Sequence, residues 1–197
     1  MRIGRFSAPG KILFLITFFM CIIQSVSAPT KDFAMRMQMF RNGIIAAKAI
    51  HHELEFKRFI SDLGRRESGN NWLSVNCIGC FGEWQFAEPT LHYLGYKTVT
   101  LKKFKKNPEI FPPELQRRVL ESLIKVNLFL MKDYEQYIGK TIKGVTITKS
   151  GMIAAAHLGG AMSVRRFLTS QGNLNKKDVL GTSVSNYMKK FSFYDLE

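Results

Sequence analysis

The sequence predicts a mostly α, α+β fold. Long stretches repeat apolar residues at helical spacing, one short stretch alternates β-branched residues around a glycine, and Gly, Pro and Asn punctuate the rest. From Asp32 to about Arg66, the residues Ile50, Leu54, Phe56, Phe59, Ile60 and Leu63 recur at three- and four-residue steps, which predicts a helix that buries this stripe. Ser68-Gly69-Asn70-Asn71 ends it, because Gly and Asn tolerate the left-handed backbone found at helix ends. Glu67 is thereby placed at a helix C-terminus. Residues 72–88 read as a loop with short extended pieces, followed by a short helix from about Pro89 to Leu94 that Gly95 closes. Pro112-Pro113-Glu114 opens the clearest helix, with Leu115, Val119, Leu123, Val126, Leu130 and Tyr134 as its core face and Gly139 as its end. Thr141 to Thr148 alternates around Gly144 as a small hairpin does. Three short helices complete the chain, Lys149–Leu158, Ala161–Thr169 and Val184–Phe191, separated by Gly159-Gly160 and Gly172.

The N-terminus has the layout of a secretory signal: Arg2, Arg5 and Lys11, the apolar run Ile12 to Ile23, then the small residues Ser25-Val26-Ser27-Ala28. The run is 12 residues, short of the roughly 20 that cross a bilayer as a helix. The expectation is a signal peptide over 1–28, cleaved after Ala28, and one domain over 29–197, exported to the periplasm or the outside of the cell. An uncleaved anchor helix would predict the same compartment.

Without those 28 residues the chain keeps 26 basic and 15 acidic side chains, a net charge of +11. Such a surface favours an acidic partner: a glycan bearing free carboxylates, a phosphate-rich wall polymer, a membrane surface or extracellular nucleic acid. Lys102-Lys103, Lys105-Lys106 and Lys189-Lys190 read as solvated faces. Cys77 and Cys80 form a C-x-x-C in a Gly- and Asn-containing loop, a setting for a local disulfide or free thiols rather than for redox catalysis. Zinc needs about four ligands, and none of His51, His52, His92 and His157 stands at ligand spacing from the pair.

Glu67 has the chemistry of a general acid. Cleaving a glycosidic bond needs a carboxylic acid that stays protonated near neutral pH, and both the helix C-terminus and burial against Trp72, Trp84 or Phe86 would act in that direction. Arg65 and Arg66 would oppose it weakly, since immediate neighbours on a helix do not share a face.

Three blocks follow in order: Arg66-Glu67-Ser68-Gly69-Asn70-Asn71-Trp72, then Gly82-Glu83-Trp84-Gln85-Phe86 with Pro89-Thr90-Leu91, then Ala154 to Gly160 with Val164. Over residues 50–195 this set resembles the lysozyme-like lytic transglycosylases, in particular the soluble lytic transglycosylase domain. The resemblance implies a lysozyme-like fold with a small β element. It also implies an enzyme that cleaves the β-1,4 bond between N-acetylmuramic acid and N-acetylglucosamine in peptidoglycan and leaves an anhydromuramic end. By the same resemblance Glu67 is the catalytic residue, Gly82 and Gln85 belong to the cleft loop, and His157, at the family's Asn position, and Tyr187 contact substrate; Ser68 is read as orienting the acid's loop, and Trp84, like Trp72, as a core residue or a sugar platform. Ala156 and His157 stand where the family has Tyr and Asn. The protein would act as a monomer on glycan strands without cofactor, metal or nucleic acid, with peripheral contact to wall or membrane. Two other readings remain. A hydrolytic muramidase would need a second carboxylate, for which Asp62, Glu83 and Glu88 are the candidates, and a silent basic wall-binding module would keep the cleft without turnover.

Overall fold

A computed structural model describes residues 30–179 and 181–196. The signal peptide expected over 1–28 lies outside the described residues. Two compact units divide the chain after Ala49. In the first, the described residues are the opening turns of α1 (Lys31–Ser68), in which every residue from Lys31 to Ala49 is exposed. Among the described residues, no helix is long and apolar enough to cross a membrane.

The second unit holds the rest of α1, then α2 (Glu88–Tyr93), α3 (Leu101–Lys106), α4 (Pro113–Met131), β1 (Thr141–Ile142), β2 (Val145–Thr146), α5 (Lys149–Gly159), α6 (Ala161–Thr169) and α7 (Val184–Lys190). Two 3-10 turns, Pro108–Ile110 and Lys132–Tyr137, flank α4. The protein is thus mostly helical with one small antiparallel sheet. In that sheet Thr141 faces Thr146 and Ile142 faces Val145. The turn between them places Lys143 at φ 50° and Gly144 at φ 74°, the two positive angles that a tight hairpin of matching twist requires.

α5 is the hub. Ser150 through Ala156 are all buried, as in a helix surrounded on every side, and α4, α6 and α7 pack against it. Its small residues permit this. A Cβ on Gly151 would lie 2.7 Å from the carbonyl oxygen of Met188, so the backbones of α5 and α7 touch only because no side chain intervenes. That close approach seats α7, and with it Tyr187. Thr148 caps α5 by accepting the Gly151 N–H at 3.1 Å, and Ser183 caps α7 by accepting that of Asn186 at 3.2 Å, each satisfying a donor that the helix itself leaves open.

Three expectations need correction. The stripe on α1 is buried only near its end, at Phe59, Ile60, Leu63 and Gly64, while Ile50 and Leu54 are about 60% exposed; periodicity marks a face but not how far the rest of the fold extends along it. α4 buries Gln116, Val119, Leu120, Ile124, Asn127 and Met131, a face displaced from the expected one, and it stops at Met131, where the chain tightens into a 3-10 turn. Two polar residues belong to that face, so a count of apolar positions alone selects the neighbouring stripe. Finally, α3 was not expected. Six residues with four lysines do not hold a helix by propensity. Phe104, fully buried among Phe81 and Phe111, contributes about 1.5–3 kcal/mol, while the lysines stay exposed.

Candidate active site

The end of α1 is closed by Gly69 at φ 68° and Asn70 at φ 60°. Their N–H groups donate back to Arg65 O at 3.1 Å and Gly64 O at 3.2 Å, so the chain turns sharply just after Glu67 and Ser68. Ser68 uses this position as a clamp. Its hydroxyl donates to Glu83 O at 2.7 Å and accepts from Asn71 N–H at 3.0 Å, joining the helix end to the loop over 72–88.

That loop folds on itself. Phe81 and Phe86 exchange backbone hydrogen bonds at 3.0 and 2.8 Å around a turn with Gly82 at φ 85° and Gln85 at φ 51°. The Gln85 amide donates to Gly82 O at 2.8 Å, a use that braces the turn. From α4, the fully buried Gln116 accepts Glu83 N–H at 2.7 Å and donates to Trp72 O and Phe111 O at 3.0 and 2.7 Å. A Cβ on Gly82 would stand 2.6 Å from the Gln116 oxygen, which fixes glycine there. Gln116 was not among the expected site residues. The available signal was a glutamine one turn into a helix whose next turns are apolar on the same face.

Tyr187 meets Glu67 directly: its hydroxyl donates to Glu67 Oε1 at 2.5 Å across 120 residues of chain. Tyr187 is buried, and burial first, then the charge of Glu67 and the hydrogen bond to it, push its phenol well above the ordinary tyrosine range. Arg66 opposes this, since its side chain also reaches Tyr187. Neighbours in sequence thus do meet here, through the tyrosine that faces both.

The aromatic group on Glu67 is therefore Tyr187, where Trp72, Trp84 or Phe86 was expected. Trp84 is 4% exposed, packed edge-on against Phe86, with its indole N–H donated to Ile60 O at 2.9 Å; its ring has no open face for a sugar. Trp72 is half-buried and its carbonyl is held by Gln116. His157 Nε2 lies 2.9 Å from Trp84 O. A carbonyl only accepts, so Nε2 carries the proton and Nδ1, buried and without a protein partner, is left as an acceptor. His157 borders a cavity of about 300 Å³ together with Cys80, Gln85, Thr90 and Asn127. Cys77 and Cys80 are both free thiols, and burial pushes the Cys80 thiol up.

Of the three candidate second carboxylates, two are committed elsewhere. Asp62 accepts from Arg65 at 2.9 Å and from the Tyr194 hydroxyl at 2.6 Å. Glu88 accepts the Leu101 N–H at 2.8 Å. Glu83 instead lies over the helix end, where a Cβ on Gly64 would be 2.8 Å from its carboxyl oxygen. Gly64 precedes Glu67 by three residues on α1, so Glu83 stands on the face that Glu67 continues, and burial raises its carboxyl above the ordinary range. Among the described residues, no group of three or more His, Cys, Asp or Glu is arranged to hold a metal ion.

Compared with known proteins, the chain matches no family model, no curated protein and no solved structure.

Proposed function

We propose that this chain is a peptidoglycan-cleaving lytic transglycosylase with a lysozyme-like fold, acting after export on the bond between N-acetylmuramic acid and N-acetylglucosamine. The observation that carries the reading is the hydrogen bond between Tyr187 and Glu67. Both residues were selected by their place in ordered motifs far apart in the chain, and the fold brings them together at a helix end tied to the Gly82–Gln85 turn.

In this reading Glu67 gives its proton to the leaving glycosidic oxygen as the bond to the muramic C1 breaks. The resulting carboxylate then takes the proton of the sugar's own 6-hydroxyl, whose oxygen closes on C1, and the acid is restored with an anhydro end as product. No second carboxylate is needed. Tyr187 positions the acid, Ser68 and Gln85 hold the loop beside it, and His157 braces that loop through the Trp84 carbonyl.

A hydrolytic outcome would draw on Glu83, the one of the three candidates that faces the end of α1. Burial raises its carboxyl, the direction in which a carboxylate becomes a stronger base, so the products decide between the two outcomes. The test is product analysis on purified sacculi with the protein and its Glu67→Gln variant. Anhydro ends made by the first and absent with the second are expected. Reducing ends would establish the hydrolase, and unchanged sacculi, or cleavage that survives Glu67→Gln within a few-fold, would refute the assignment.

A further inference from the structure

We propose that the pocket walled by Asp62, Arg65, Arg66, Lys190, Phe193 and Tyr194 binds a carboxylate-bearing substituent of the glycan, an acidic peptide branch seated beside the scissile bond. The proposal rests on the glycan-cleaving reading of Glu67. The cavity measures about 530 Å³, within the size range of sites for small organic ligands.

Its electrostatics are one-sided. Three cations line it against one carboxylate, and both oxygens of that carboxylate are occupied, by Arg65 and by the Tyr194 hydroxyl. Among the described residues Arg66 and Lys190 have no ion-pair partner. An incoming carboxylate therefore meets two positive charges without a paired carboxylate, one of them the Arg66 guanidinium, which reaches the Tyr187 hydroxyl and whose fork also matches a carboxylate's two oxygens.

The other wall is aromatic. Phe193 is 61% exposed and stacks on Tyr194 with ring centroids 4.3 Å apart. Arg58 lies over both rings, 5.6 and 4.9 Å from their centroids. A bare inorganic anion would leave this wall unused, whereas a carboxylate on a short carbon chain covers it. The location ties the pocket to the chemistry: Arg66 adjoins Glu67 in the chain and reaches Tyr187, which holds Glu67.

The experiment is titration calorimetry on the full chain carrying Glu67→Gln, so that no probe is consumed. The probes are a muramyl disaccharide with a short acidic peptide, the same compound with every carboxylate amidated, and a glycerol phosphate oligomer. The free acid should bind roughly fivefold more tightly than the amide, the upper end for an exposed ion pair. Lys190→Gln should reduce that preference about twofold and Lys190→Arg should restore it, with circular dichroism unchanged throughout. Equal affinity for acid and amide, a preference undiminished in Lys190→Gln, or displacement of the acidic probe by the phosphate oligomer at lower concentration would each overturn the proposal. Cleavage of sacculi by the unmodified protein is scored separately. A missing preference with cleavage intact overturns the pocket alone; a retained preference with cleavage absent overturns the glycan reading and leaves a carboxylate site.

Discussion

Gln116 is a single buried amide that holds three points of the loop around the candidate site. In Gln116→Leu the volume is nearly kept, but Glu83 N–H and two carbonyls lose their partner. We expect a loss of about 3 kcal/mol, the combined cost of desolvated backbone groups left unpaired, measured by urea denaturation. A loss below about 1 kcal/mol would mean that the loop is held by other means. At Tyr187 the expectation divides between function and stability. Tyr187→Phe keeps the ring and removes the bond to Glu67, so kcat should fall about ten- to a hundredfold with KM little changed, as for a hydrogen bond to a charged group. Because the folded protein holds this phenol above its ordinary value, the unfolded chain ionises first; stability is fully present below about pH 10 and declines as pH rises further. Melts across that range should fall less steeply for Tyr187→Phe than for the unmodified chain. Glu67 and Tyr187 could be singled out from sequence because their residue types and motif positions have chemical meaning. Gln116 could not, since its importance lies in backbone groups of a loop whose path is not written in local pattern.

At the scale of elements, the helices were legible wherever an apolar stripe followed a cap or a glycine: α5, α6 and α7 begin where Thr148, Gly160 and Ser183 place them. What stayed hidden was which side of a helix faces the core when polar residues are part of the buried face, as on α4, and any element formed only by packing, as α3 is through Phe104. The α5–α7 contact was likewise invisible, although Gly151 stood in the sequence, because a glycine in a helix states a need for space without naming the neighbour. Gly151→Ala tests that neighbour. Its Cβ would press on the Met188 carbonyl, which is backbone and cannot swing aside. The helices must separate, at a cost of about 1–3 kcal/mol, and kcat should drop with the thermal midpoint as Tyr187 moves from Glu67. Full activity in a destabilised variant would mean that the site does not depend on where α7 sits.

At the scale of the whole molecule, the proposed function assigns the positive charge to capture rather than to bond breaking. With 29 basic and 15 acidic side chains in the complete sequence, attraction to an anionic wall acts over about a Debye length, ~8 Å at physiological ionic strength, and fades as salt rises. Sedimentation with sacculi should therefore weaken with salt, while turnover of a short neutral oligosaccharide changes much less over the same range. Salt-insensitive sedimentation would reduce the charge to an aid to solubility. The Glu67–Tyr187 bond carries a different consequence, for the order in which the molecule becomes competent. Its partners lie 120 residues apart, so joining them closes a loop whose entropy no single helix offsets, and such contacts form after local ones. A chain in which α4 and α5 have already coiled still lacks its hydroxyl on Glu67 until α7 docks. Competence then arrives as one late event in folding, and a fluctuation that frees α7 alone withdraws it.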